Sequence, residues 1–244
     1  YAHELAEQKE SALKADLQYV SKQIELLVDQ INAFSLQLSL SNELNSVITR
    51  PENSLYQYNI VREYMSTHIL SNNLFYSAYL YMQVSDIVLT TKEGMFKRSE
   101  FFDKPLLDQL LKDKTLLSGH QLRMIPDAPG KPQEAFTFSR SIPVLNSYPL
   151  GYVIINVKKD QLIDVLQAEH ALKPYFVIYD SKGSIVFQNM GDDYTALLSD
   201  GSLLSQLENQ GSEFPQWIGD QPYLSQSQKL HGINWTLVRL ETHS

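Results

Sequence analysis

From His3 to Ser46 the chain contains neither glycine nor proline and is rich in Leu, Glu, Gln, Lys and Ala, residues that lose little freedom in a helix. Within it Leu13, Leu17, Val20, Ile24, Leu27, Ile31, Phe34 and Leu38 recur at steps of three and four, which places them on one side of a single helix. At 1.5 Å per residue the stretch from Leu13 to Leu38 spans roughly 38 Å, longer than a small domain is wide. Such a stripe must face something, either a second chain, as in a coiled coil, or the rest of this one. After Leu38 the phase shifts to Leu40, Leu44 and Val47, and Pro51 ends the helix. A second helix over "SLYQYNIVREYMSTHIL" puts Leu55, Tyr58, Val61, Met65 and Ile69 on one side.

From Leu74 the pattern changes to period two. "LFYSAYLYMQ" and "DIVLTT" read as strands separated by a turn at Val84, Ser85 and Asp86, with Leu74, Ala78, Leu80 and Met82 on one face and Phe75, Ser77, Tyr79, Tyr81 and Gln83 on the other. A short helix over Pro105 to Asp113, a strand near Thr115 to Met124 and a Pro/Gly loop follow. The strands "EAFTFSRSIPV" and "GYVIINV", joined through Asn146 to Pro149, and the helix "KKDQLIDVLQ" complete this unit. A second unit begins with "YFVIYDSKGSIVFQN", a strand, a turn and a strand. Two helical pieces follow, over Tyr194 to Leu198 and Leu203 to Asn209, and then the strands "QPYLSQSQKL" and "NWTLVRL" with Gly232 between them. The order of elements repeats, with Gly151 and Gly232 entering the last strand of each unit.

The chemistry of several enzyme classes is missing. A net charge of -8 with no basic run disfavours a nucleic-acid surface. There is no cysteine for disulfides or thiolate ligation, and no two of the histidines at 3, 68, 120, 170, 231 and 243 have the spacing of metal ligands on one helix, so neither a metal nor a cofactor is expected. No Walker-type loop, G-x-G-x-x-G or G-x-S-x-G occurs. "DSKGS" reads as a hairpin turn rather than a phosphate loop, and Asp192-Asp193 as a solvated loop before a helix. Asn234-Trp235-Thr236 matches the glycosylation acceptor pattern but falls in a predicted strand. No apolar run reaches the roughly 20 residues needed to span a bilayer. The chain begins at Tyr1 inside a helical pattern, as a piece of a longer protein or a mature chain after ordinary processing would.

What remains is a candidate binding face. If the apolar faces of "LFYSAYLYMQ" and "GYVIINV" (Val153, Ile155, Val157) pack on the long helix, Tyr79, Tyr81, Tyr152 and Asn156 point the other way, and "EAFTFSRSIPV" is expected to add Phe138 and Arg140. Rings with hydroxyl tips beside a guanidinium suit a sugar or a carboxylate; the alternative is a half-exposed sheet covered by tyrosines, with Arg140 in an ordinary ion pair.

A long helix followed by two such units resembles the double Cache extracytoplasmic sensor module. The resemblance is carried by the helix to Ser46 and by "FYSAYLYMQVSDIVLTT", "PLGYVIINVKKDQLIDVL", "YFVIYDSKGSIVFQN" and "GINWTLVRL", and it covers essentially the whole chain. The chain is similar in kind to the sensor halves of membrane-bound AraC-type transcription regulators and of sensor histidine kinases in Gram-positive bacteria. The resemblance implies an α+β fold with a helical spine over 1–48, a membrane-distal, ligand-binding domain over 49–168 and a membrane-proximal domain over 169–244. It implies a fragment on the outer side of the cell membrane, between two transmembrane helices, that senses a small molecule and is not an enzyme. Many such regulators accompany carbohydrate uptake systems, which favours a sugar or oligosaccharide. The amino-acid-binding subset carries a Tyr-x-x-x-x-Arg-x-Trp-Tyr run after the second helix, and this chain has none. The competing readings are a secreted carbohydrate-binding protein or carbohydrate-active enzyme, a chemoreceptor domain for an organic acid, and a dimerising coiled coil. The stripe is expected to serve as the spine on which both units pack, leaving the flanking Leu26, Ala33 and Leu40 for a homodimer contact through the N-terminal helix.

Overall fold

The apolar stripe forms the expected helix. In the computed structural model, which describes residues 1–113, 120–126, 132–144, 147–167, 174–210 and 215–243, α1 runs over Ala2–Leu40. Leu13, Leu17, Val20, Ile24, Ile31 and Leu38 are buried, Leu27 and Phe34 are half-buried, and Leu26, Ala33 and Leu40 are exposed. The helix stops short of Ser46 because Ser41 turns extended, donates its hydroxyl to the Leu38 carbonyl at 2.7 Å and accepts from the Leu44 amide at 3.3 Å, starting α2 (Asn42–Ile48). That break is the phase shift seen after Leu38. A capping box of Ser54 and Gln57 opens α3 (Leu55–Leu70), which buries Tyr58, Val61, Met65 and Ile69 and leaves Leu55, its first residue, exposed.

Contacts divide the chain into a central unit, Gln30–Gln161, and a terminal unit made of Tyr1–Asp29 with Leu162–Ser244. The sequence reading set residues 1–48 apart; in the structure the stripe of α1 is long enough to serve an apolar face in each unit.

The central unit holds β1 (Phe75–Met82), β2 (Ile87–Thr90), the three-residue β3 (Met95–Lys97), α4 (Lys104–Lys112), β4 (His120–Ile125), β5 (Gln133–Ile142), β6 (Gly151–Lys158) and the start of α5 (Lys159–Gln167). The expected strand from Thr115 is described only from His120, and Asn146 and residues 127–131 of the Pro/Gly loop lie outside the described residues. The strands form one sheet in the order β3-β2-β1-β6-β5-β4, with every neighbouring pair antiparallel. A register shift between Phe75 and Ser77 turns Phe75 away from the tyrosines, and its ring stacks on Phe34 of α1 at 4.3 Å. The sequence reading placed Phe75 with Tyr79 because strict alternation does not show a bulge. Gly151 is required where β6 enters the sheet, since a Cβ there would stand 2.1 Å from the Tyr81 carbonyl oxygen and 2.8 Å from Ile48 Cδ1.

The terminal unit holds β7 (Tyr175–Tyr179), β8 (Ile185–Gln188), α6 (Thr195–Ser199), α7 (Ser202–Gln210), β9 (Gln216–Ile218), β10 (Gln221–Lys229) and β11 (Thr236–Thr242), in the sheet order β8-β7-β11-β10-β9, again antiparallel throughout. Its core gathers Val177, Tyr179, Leu198, Leu203, Tyr223, Val238 and Leu240. The "DSKGS" stretch is a hairpin turn in which Asp180 Oδ1 accepts the Lys182 and Ser184 amides, each at 2.9 Å. Asn234 stands exposed before β11 begins, not within a strand as expected. Arg239 Nε donates to Asp16 Oδ2 at 3.0 Å, tying the first part of α1 to β11. At the sheet's edge the Gln206 side chain donates to the Trp217 carbonyl at 3.1 Å and accepts the Trp217 amide at 2.8 Å, as a neighbouring strand would. The repeat read from element order is present in the sheets: β2-β1-β6-β5 in one unit corresponds to β8-β7-β11-β10 in the other. Among the described residues no helix is long and apolar enough to cross a membrane.

Candidate functional site

In an antiparallel pair, residues directly opposite each other share a face. Tyr81 pairs with Tyr152 and Tyr79 with Ile154, so Tyr79, Tyr81, Tyr152 and Asn156 lie together on the face of the central sheet turned away from Phe75 and α1. Phe138 and Arg140 do not join them. Phe138 pairs with Ile155 and Arg140 with Val153, and Arg140 Nε donates to Ser35 Oγ on α1 at 2.9 Å, so both side chains belong to the opposite, helix-covered face. The reading from sequence took β5 one residue out of phase, because the length of its pairing with β6 was not legible. Burial lowers the pKa of Arg140, and no carboxylate lies within salt-bridge distance of it among the described residues.

The tyrosine face is covered. Tyr79, Tyr81 and Tyr152 are buried in one cluster with Val88, Phe101, Leu106, Leu107 and Leu110, the last four supplied by α4 and the segment before it. Tyr79 meets Phe101 and Phe102 edge to face at 5.1 and 5.9 Å, and Tyr81 lies parallel to Tyr152 at 6.4 Å. Each of the first two tyrosines gives its hydroxyl to an aspartate that an arginine holds. Tyr81 donates to Asp86 Oδ1 at 2.8 Å, which also accepts Arg98 Nε at 2.8 Å, and Arg98 continues to Asp108 at 3.3 Å near the surface. Asp86 has φ 57°, a left-handed conformation that aspartate tolerates better than most residues.

The second arrangement is deeper. Tyr79 donates to Asp103 Oδ2 at 3.2 Å, and Arg123 of β4 grips Asp103 with both terminal nitrogens, at 2.8 Å to Oδ1 and 2.6 Å to Oδ2. Arg123 Nε donates to Thr137 Oγ1 at 2.6 Å and Nη2 to Asn156 Oδ1 at 3.2 Å; Thr137 donates to the same Asn156 oxygen at 2.8 Å, and Asn156 Nδ2 donates to Ser77 Oγ at 3.0 Å. Asp103, Thr137, Asn156 and Ser77 are all buried, so the polar groups satisfy one another beside an apolar cluster. Burial, and then the Asp103 charge, push the Tyr79 hydroxyl well above the ordinary tyrosine range; burial and Asp86 do the same to Tyr81, and burial raises Tyr152. Tyr79 and Tyr81 are neutral donors to their aspartates.

Asp103, Arg123 and Thr137 escape a reading of the sequence, whereas alternation already places Ser77 on the tyrosine face. Asp103 looks there only like the residue before a Pro-containing helix start, and Arg123 like a polar residue in an edge strand whose partner follows an irregular loop. The arrangement brings together a guanidinium fork, a buried carboxylate and neutral hydroxyls under an apolar cover. Among the described residues no group of His, Asp and Glu is placed to hold a metal ion.

No family model matches the chain, and a search of curated proteins gives no match. Solved structures do match along the whole length. A domain of a Vibrio parahaemolyticus protein assigned to the sensory box/GGDEF family is 15% identical with TM-score 0.62, covering 98% of this chain and 97% of that one. The sensory domain of the Campylobacter jejuni chemoreceptor Tlp3 (CcmL), solved with isoleucine bound, is 15% identical with TM-score 0.58, covering 97% and 95%. The ligand-binding domain of the Pseudomonas aeruginosa PAO1 amino acid chemoreceptor PctB, in complex with L-Arg, is 10% identical with TM-score 0.62, covering 97% and 96%. At these identities the likeness carries the fold: a long helix and two antiparallel sheets, as in sensory domains of membrane receptors.

Proposed function

We propose that this chain is the extracytoplasmic sensory part of a membrane receptor, that it binds rather than transforms its ligand, and that the ligand is a small carboxylate-bearing molecule received by Arg123 under the α4 segment of the central unit. The observation that carries the ligand class is the bidentate fork of Arg123, which already holds one carboxylate at 2.8 and 2.6 Å in a buried setting. The fold supports the sensory role, because its full-length structural neighbours include ligand-binding domains of chemoreceptors. Amino acids, which two of those neighbours hold, are carboxylates, and so are the organic acids of the chemoreceptor alternative. The residues that would receive them here are Arg123, Tyr79 and Asn156, not the run that the amino-acid-binding subset carries. The preference for a sugar rests on the uptake systems that similar regulators accompany and on hydroxyl-tipped rings free to stack, and here Tyr79, Tyr81 and Tyr152 have their rings packed against one another and against Phe101 and α4.

The test is a thermal-shift and calorimetric screen of amino acids, mono- and dicarboxylates and neutral sugars. Carboxylates should raise the melting temperature of the wild-type chain, and Arg123→Met should abolish the response. A response to sugars alone, or one that survives Arg123→Met, would sink the reading.

A further inference from the structure

The site just described already contains a carboxylate. Asp103 fills the Arg123 fork through both oxygens, which is the geometry a ligand carboxylate would adopt with the same guanidinium. The Asp103 side chain is 3% exposed, so a ligand that drew Arg123 away and left Asp103 behind would strand a buried charge.

The position of Asp103 in the chain supplies an alternative partner. Asp103 is the N-cap residue of α4, where an aspartate ordinarily turns its carboxylate onto an amide of the first helical turn, yet it makes no side-chain capping bond. Its φ of -107° and ψ of 33° lie outside the extended conformation that capping residues adopt, and the Leu106 amide donates instead to the Asp103 carbonyl at 3.2 Å. Pro105 has no amide to satisfy, so Leu106 is the donor a capping carboxylate would meet. A rotation about the Asp103 backbone and side chain would bring the carboxylate to that amide, where the helix dipole also favours a negative charge.

Resting on the reading of Arg123 as the carboxylate receptor, we propose that Asp103 is a built-in competitor of the ligand: it occupies Arg123 in the empty protein and, once displaced, caps α4. The exchange swaps one carboxylate for another in the same fork, so the charge balance around Arg123 is preserved. It also couples occupancy to the first turn of α4, which carries Leu106 and Leu107 over the tyrosines.

Two variants test the exchange without any ligand. Asp103→Ser keeps a capping side chain and removes the competitor, whereas Arg123→Met releases Asp103 to the cap. In both, hydrogen exchange at the Leu106 amide should slow about five-fold, the ratio that an ordinary N-cap is worth. Faster exchange at Leu106 in both variants would mean that the pair merely holds the segment down, and would overturn the proposal. Acetate is the probe for the competition. It should bind Asp103→Ser at least about ten-fold more tightly than the wild-type chain, because no internal charge-assisted pair has to be displaced. Equal or weaker binding to Asp103→Ser overturns the competitor role while leaving the carboxylate reading intact. Acetate binding to neither chain overturns that reading and the competition with it.

Discussion

Asn156→Leu tests whether the polar patch beneath the tyrosines holds the central unit together. Asn156 is fully buried and makes three bonds to groups that the substitution leaves in place: it donates to Ser77 Oγ at 3.0 Å and accepts from Thr137 Oγ1 at 2.8 Å and from Arg123 Nη2 at 3.2 Å. The two neutral bonds are worth about 1 kcal/mol each and the one to a charged donor about 1.5 to 3 kcal/mol. Against this loss, burying leucine gains roughly 1.5 to 2 kcal/mol of transfer free energy. The expected net loss is about 2 to 3 kcal/mol, which for a unit of this size lowers its melting temperature by roughly 8 to 10 °C. Replacing a whole buried polar cluster with apolar residues can be neutral, but here Ser77 loses its bond to Asn156 while Arg123 and Thr137, still joined to each other and to Asp103, each lose one bond and stay behind. Thermal unfolding followed by circular dichroism, with hydrogen exchange in β1 and β6 to confirm that the central unit is the one affected, is the assay. A shift of less than about 2 °C, or a rise, would refute the view that these bonds are cooperative.

Three further outcomes follow from the structure. Arg140→Met should leave carboxylate binding unchanged and alter stability by less than about 1.5 kcal/mol, because the lost bond to Ser35 is offset by removing a partly desolvated guanidinium; calorimetry on both variants separates Arg140 from Arg123. Gly151→Ala should cost at least about 3 kcal/mol or prevent folding, since its Cβ would enter the space of the Tyr81 carbonyl, and denaturant unfolding reads this directly. Tyr79, Tyr81, Tyr152, Tyr179 and Tyr223 all have raised folded-state pKa values, with Tyr179 and Tyr223 each pushed up to about 12, chiefly by burial. Their stabilising contribution is complete below the unfolded tyrosine value of about 10 and is lost as pH rises from there through the folded values. Tyrosinate absorbance should therefore rise together with loss of ellipticity, and full titration of all fourteen tyrosines in a chain that remains folded would contradict the burial argument.

The long helix, the two sheets and their repeated order were legible because each rests on a local period: three and four in α1, two in the strands, with Gly151 and Gly232 marking the entry to the last strand of each unit. The place of Tyr79, Tyr81, Tyr152 and Asn156 on one face followed from alternation along two strands. Alternation failed where pairing rather than sequence decides: the shift at Tyr76 moved Phe75 to the helix side, and the register of β5 against β6 took Phe138 and Arg140 there as well. The charged heart of the site was invisible for a different reason. Asp103 and Arg123 are 20 positions apart on elements of different type, and what joins them is a buried fork that no spacing rule encodes.

Gln206 bears on how such a chain behaves at high concentration. The outer edge of β9 is the place where a strand from another molecule would add to the terminal sheet, and its exposed Trp217 would favour such growth. By occupying both the amide and the carbonyl of Trp217, one glutamine side chain removes the two backbone groups that a newcomer would need first. At its centre that sheet edge is blocked by a neutral side-chain amide, and just ahead of β9 Pro215 has no amide to offer a newcomer, so strand addition there is opposed without any charge on either group.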